Sequence, residues 1–141
     1  MRKRRFSIVI LMLLTISIKA QQPFHKVLYN DSQQIFMKIN LYEENIEVPS
    51  MEMFGPMYGY MNGNIYGIWC ATSAKVIDDR HAVIRFSNDL GSETQEVHLT
   101  IRDDSTYLFK QVNGVSMKKV VKKKLVKLPQ TLIFEKLKGA R

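Results

Sequence analysis

The sequence predicts an all-β protein: a small antiparallel β-barrel or sandwich of about eight to ten short strands, preceded by an N-terminal signal peptide. Three observations predict it. Apolar residues alternate with polar ones along most of the chain, the period of a half-buried strand. Asn62-Gly63 and Asn113-Gly114 are the dipeptides that two-residue type I′ hairpin turns prefer, because both central residues need positive φ. No long stretch carries the period of a helix, and there is no repeat and no low-complexity linker.

Residues 1–20 read as the signal peptide. Arg2-Lys3-Arg4-Arg5 is a basic n-region, Phe6 to Ile18 is an uncharged and mostly apolar run, and Lys19-Ala20-Gln21 offers a small residue for cleavage. The apolar run is shorter than the about 20 residues of a spanning helix. Cleavage after Ala20 is expected, with the product in the periplasm or outside the cell. Residues 21–141 then form a single barrel-like domain, a length that buries a core without staples. Cys70 is the only cysteine, so no intramolecular disulfide forms; behind Trp69 in an apolar strand it reads as a buried thiol.

The charge balance changes on processing. The whole chain carries +8, but five basic residues lie in the leader, leaving 16 basic against 13 acidic residues, a net of +3. That excess is too small to support a nucleic-acid partner.

The strands follow in order. Ile35, Met37, Ile39 and Leu41 share one face, with Lys38 and Asn40 on the other. Glu43-Glu44-Asn45 turns the chain, and Ile46-Glu47-Val48 is a short strand stopped by Pro49. A type I′ turn at Asn62-Gly63 sets Met61 opposite Asn64, Gly59 opposite Tyr66, and Tyr58 opposite Gly67. Each glycine then lies under a tyrosine ring. The second arm runs from Ile65 to Val76. Asp78-Asp79-Arg80 is a turn, and Ala82–Phe86 pairs with Glu96–Arg102 so that Ile84 faces Val97 and Arg85 faces Glu96. Asp103-Asp104-Ser105 turns again. Thr106–Val112 is a strand, reversed at Asn113-Gly114 by a return strand from Val115 to Val121. Lys122-Lys123-Lys124 is a charged turn or strand end, Pro129 breaks the chain after Leu125–Leu128, and Leu132-Ile133-Phe134 is the last strand.

Candidate chemistry is sparse. The pairs Asp78-Asp79 and Asp103-Asp104 carry the carboxylates that glycoside hydrolysis needs, but each stands where a turn is expected. No Gly-x-Ser-x-Gly nucleophile elbow is present. His81 and His98 are diagonal neighbours on the outer face, where a metal would need a third ligand, and they read as exposed strand residues. No catalytic residue, metal site or cofactor is expected.

The strongest lead is aromatic and sulfur-rich. Met51, Met53, Met57 and Met61 interleave with Phe54, Tyr58, Tyr60, Tyr66 and Trp69. Methionine adapts its shape and tyrosine gives amphipathic contact area at little entropic cost. Met57, Tyr58, Tyr60, Tyr66 and Trp69 are therefore the candidate ligand-binding residues, set against packing in an irregular core. A non-enzymatic module binding a hydrophobic or amphipathic small molecule is the first reading. An envelope protein-interaction or inhibitor protein, inserting the Met51–Pro56 loop into a partner, is the second. Lys118–Arg141 carries nine basic residues and one acidic residue, whereas residues 21–117 carry seven and twelve. This asymmetry reads first as an edge strand guarded by lysines and second as a weak contact with an anionic surface.

Gly67-Ile68-Trp69 resembles the Gly-x-Trp of lipocalins, whose tryptophan packs at the closed end of an eight-stranded barrel. Here several strands precede it, and the lipocalin disulfides are absent. The leader ending in Lys-Ala-Gln-Gln, followed by one β-rich domain, is similar to uncharacterised exported proteins of Bacteroidota. The resemblance implies a small barrel and transfers no functional residue.

Overall fold

Eight strands close into one antiparallel barrel in the computed structural model, which describes residues 21–138. In chain order the strands are β1 (His25–Asn30), β2 (Ile35–Asn40), β3 (Gly59–Gly63), β4 (Trp69–Val76), β5 (His81–Asn88), β6 (Thr94–Ile101), β7 (Thr106–Gly114), β8 (Lys118–Val121), β9 (Lys124–Lys127) and β10 (Thr131–Lys136). Strands β2 to β7 form a continuous meander. β10 then enters beside β7, and β1 closes the circle between β10 and β2. β8 and β9 form a separate two-stranded hairpin inserted between β7 and β10. The predicted signal peptide lies outside the described residues.

Alternation fixes which side chains enter the barrel. In β2, Ile35, Met37 and Ile39 are buried while Phe36 and Lys38 are exposed. β5 and β6 pair with Ile84 opposite Val97 and His81 opposite Thr100, burying Ala82, Ile84, Phe86, Val97, Leu99 and Ile101. A one-residue slip of either strand would turn its three toward water, so the register is strongly specified. Arg85 does face Glu96. The ion pairs among the described residues lie elsewhere, at His81–Asp78 and Lys118–Glu93.

An eight-stranded barrel is just wide enough for side chains to fill. Here Trp69, Phe86, Phe109 and Phe134 are buried in one continuous core. The Phe109 and Phe134 rings lie 5.7 Å apart, centroid to centroid. Phe24 and Tyr107 meet edge to face at one end, where the Tyr107 hydroxyl donates to the Pro23 carbonyl. Burial pushes the Tyr107 phenol up to about 12.

Several expected reversals are displaced. The chain does not turn at Asn62-Gly63: Asn62 pairs with Phe36 and Gly63 with Ile35, still within β3. The reversal follows as a loop over residues 64–68, so Met61 faces Trp69 and Gly59 faces Ala71, not Asn64 and Tyr66. The tighter turn would have put Trp69 on the outer face; the longer loop buries the largest side chain available, which outweighs a favourable turn dipeptide. The strand expected from Ile65 accordingly begins at Trp69.

Asn113-Gly114 is likewise not a hairpin. Asn113 pairs with Glu96 and Gly114 with Gln95, and the ladder continues as the Val115 N–H donates to the Thr94 carbonyl. Gly114 is required for a different reason: a Cβ there would lie 2.3 Å from the Thr94 carbonyl oxygen, at a φ of +88°. The strand expected over Val115–Val121 returns on β9 and not on β7. The turn between them is Lys122-Lys123, both at positive φ. Ile46–Val48 contributes only an isolated bridge between Ile46 and Met57. Asn40, expected on the outer face, is buried: its side-chain oxygen accepts from the Tyr42 and Glu43 N–H groups, and its amide donates to Asn45.

Candidate functional site

The chain between β2 and β3 makes a long excursion that positions the methionine-rich segment. A 3₁₀ turn at Glu52–Phe54 shapes it, and the Ile46–Met57 bridge returns it to the barrel. It lies against the outer side of β4. Within β4, Trp69 and Ala71 join the core, so Cys70 between them points to the other face. Cys70 is nonetheless only 1% exposed, because the excursion covers it. Its thiol approaches the Met51 thioether at 3.4 Å. Burial, and secondly the charge of Asp89, push the thiol up to about 11.

Two clefts adjoin at this place. The larger, about 200 Å³, is bounded by Met51, Phe54, Met57, Cys70 and the Asn88–Gly91 stretch of the β5–β6 loop. The smaller, about 100 Å³, is bounded by Tyr66, Trp69, Lys118, Leu125 and the other side of the same loop. Asn88, Asp89 and Leu90 border both. Leu90 is 80% exposed on this shared wall, and Phe54 (65%) and Tyr66 (59%) flank it. Lys118 Nζ meets Glu93 at 3.1 Å at the rim of the smaller cleft.

The structure separates the five predicted binding residues. Met57 borders the larger cleft; Tyr66 and Trp69 border the smaller one, with the body of Trp69 in the core. Tyr58 packs against the core, and half-buried Tyr60 pairs with Cys70 on the outer face of β3. Neither of these two tyrosines lines the paired clefts. The residue that sequence reasoning passed over is Leu90, in the loop between β5 and β6. Its signal was present: a single large apolar residue in Asn-Asp-Leu-Gly-Ser, where burial is unavailable.

A third groove, about 420 Å³, runs along the barrel seam and is bounded by Asn30, Asp31, Gln33, Leu132, Ile133 and Glu135 among others. β1 and β10 share only two residue pairs here. The Asn30 amide bridges the gap to the Ile133 carbonyl at 2.7 Å, while its oxygen accepts from Gln33 N–H and the Ser32 hydroxyl.

The carboxylates act as turn formers. Asp78 Oδ1 accepts from the Arg80 and His81 N–H groups and meets His81 Nδ1 at 2.8 Å; the Arg80 N–H, then the imidazole, hold it below the usual carboxylate range. Asp103 is lowered in the same way, chiefly by the Ser105 N–H. His98 faces Val83 on the outer side, as the register predicts. Among the described residues no group of three or more His, Cys, Asp or Glu side chains is arranged to hold a metal ion.

Compared with known protein families, curated proteins and solved structures, the chain matches none.

Proposed function

We propose that the protein is an exported, non-enzymatic binding module that takes a hydrophobic or amphipathic ligand on its surface, at the paired clefts around Leu90. One observation carries the reading. Leu90, Phe54 and Tyr66 stand exposed together around two adjoining clefts, although a soluble chain gains by keeping such side chains apart or buried. Export rests on the leader read from the sequence.

The dimensions favour an apolar segment of a partner protein over an enclosed small molecule. Sites that engulf a drug-sized ligand hold about 300–1,000 Å³. The clefts hold about 100 and about 200 Å³, room for individual side chains. The barrel interior is occupied by Trp69, Phe86, Phe109 and Phe134. The reading is therefore closer to the envelope-interaction alternative than to a lipocalin-like cavity.

The test uses a neutral apolar dye, N-phenylnaphthylamine, followed by short amphipathic peptides as competitors, with Trp69 emission as a second readout. The dye is expected to brighten on binding and to be displaced by peptide. Phe54→Ser with Leu90→Ser is expected to abolish both effects without lowering the melting temperature. Absence of a dye or peptide response, or an undiminished response in the double variant, would overturn the proposal.

A further inference from the structure

We infer that the β8–β9 hairpin is a docking element for a bilayer surface rich in anionic phospholipid. This inference goes beyond the paired clefts, although Lys118 and Leu125 of the hairpin also border the smaller one.

The hairpin is built against its own stability. Lys118, Lys119, Lys122, Lys123, Lys124 and Lys127 fall within ten residues that contain no acid. Lys118 and Lys127 stand directly opposite each other across the ladder. Like charges placed so are destabilising. The two-residue turn is Lys122-Lys123, with φ of 50° and 66°. Asn-Gly would occupy such a turn without strain, and this chain uses two Asn-Gly pairs elsewhere, neither of them at a hairpin turn. Edge protection explains lysines along a strand, but it does not explain a lysine pair at the turn itself. Four lysines crowded on one hairpin, none with an ion-pair partner among the described residues, point to a site that an external anion neutralises.

The hairpin is also presented for contact. It shares no ladder with the barrel strands, so it forms a two-stranded sheet of its own. Its base is fixed: Lys118 pairs with Glu93, Lys119 Nζ bonds Gln33 Oε1 at 2.8 Å, and the Leu128 N–H donates to the Met117 carbonyl. Beyond the base, Val120 to Lys127 are all exposed. Lys122, Lys123, Lys124 and Lys127 have no ion-pair partner among the described residues. The nearby acids Asp89 and Glu93 belong to the β5–β6 loop, at the base.

Composition selects a bilayer over a soluble polyanion. Val120, Val121, Leu125 and Val126 lie exposed between the lysines. They gain nothing from a hydrated glycan, whereas at a lipid surface such side chains enter the boundary between headgroups and acyl chains while lysines meet phosphates. The charge is complementary to anionic lipid, and each lysine near such a surface is worth roughly a fivefold change in affinity at low salt.

Co-sedimentation of the full chain with vesicles tests this. Binding is expected to phosphatidylcholine mixed with phosphatidylglycerol and not to phosphatidylcholine alone, and it is expected to weaken as salt rises. Lys122→Asn, Lys123→Gly and Lys124→Gln together keep a competent turn while removing three charges; they should weaken binding on the order of 100-fold. Val121→Ser with Val126→Ser should weaken binding to vesicles but leave any binding to soluble dextran sulfate unchanged. Circular dichroism and melting of each variant report that the barrel is intact. Absence of binding to anionic vesicles, equal binding by the triple-lysine variant, or binding to dextran sulfate without binding to vesicles would each overturn the inference.

Discussion

The Cys70 thiol lies 3.4 Å from the Met51 thioether, sealed beneath the excursion that also forms the wall of the larger cleft. A thiol at about 11 is almost wholly protonated at neutral pH, and the thiolate is the reactive form. Cys70 is therefore expected to resist an aromatic disulfide reagent in the native protein and to react at once on unfolding. Its titration also has a thermodynamic sign. The folded value is above the ordinary 9.0, so the contribution is complete below pH 9. As pH rises further, the unfolded chain loses its proton first, and the contribution is gone by about pH 11. The loss amounts to at most about 3 kcal/mol. Cys70→Ala should flatten the fall between pH 9 and 10.5, measured by denaturant melts; the later part belongs to Tyr107, raised from 10.0 to about 12. An unchanged profile in the variant would refute the assignment.

Gly59 is expected to tolerate no side chain. A Cβ there would stand 2.3 Å from the Lys38 carbonyl oxygen and 2.8 Å from Ile39 Cγ2. The carbonyl belongs to the neighbouring strand and cannot swing away. Gly59→Ala should cost at least about 2 kcal/mol in denaturant unfolding, the scale of overpacking against a backbone that cannot yield. A cost within about 0.5 kcal/mol, the range of ordinary surface changes, would show that β2 and β3 separate more easily than the close approach implies.

Sequence patterning carried the fold where two strands impose the same demand. The β5–β6 register was legible to the residue because Ala82, Ile84 and Phe86 on β5 and Val97, Leu99 and Ile101 on β6 all bury together only in one alignment. Turn dipeptides were poorer guides. Asn62-Gly63 and Asn113-Gly114 look like local instructions, yet both lie in strands that pair with distant partners, and their glycines answer to the backbones of β2 and β6. The β8–β9 turn was hidden for the converse reason, since two lysines occupy positions where the backbone favours glycine and asparagine. The candidate site was half legible. Met57, Tyr66 and Trp69 reach the clefts, but Leu90 arrives from another loop, and no local pattern announces that two loops will meet.

Leu90 and Trp69 should separate binding from folding. Leu90 is largely exposed, so Leu90→Ser should change stability by no more than about 0.5 kcal/mol while weakening dye and peptide binding. Trp69 is 2% exposed in the core, and Trp69→Ala should cost about 3–5 kcal/mol. That is a large share of the about 5–15 kcal/mol a domain possesses. Thermal melts beside dye titrations distinguish the two. A Leu90→Ser variant that melts early would mean that the loop supports the barrel and is not a free surface.

Gln95 provides the last prediction. Its amide donates to the Val115 carbonyl at 3.0 Å, but its own carbonyl oxygen, Oε1, is buried without a hydrogen-bond partner. A buried acceptor left unpaired costs about 1–3 kcal/mol, while a neutral hydrogen bond contributes about 0.5–1.5 kcal/mol. The first term is at least as large as the second, and Val115 is exposed, so its carbonyl can turn to water when the amide is removed. Methionine matches the length of glutamine and suits a buried position opposite Phe86. Gln95→Met should therefore leave stability unchanged or raise it by up to about 1 kcal/mol in urea unfolding. Gln95→Glu should lower it at neutral pH by more than any neutral replacement, because burying a carboxylate costs far more than burying an amide. If Gln95→Met instead costs more than about 2 kcal/mol, the Oε1 atom has a bound water or ligand as its partner, and the interior at this end of the barrel is wetter than its side chains imply.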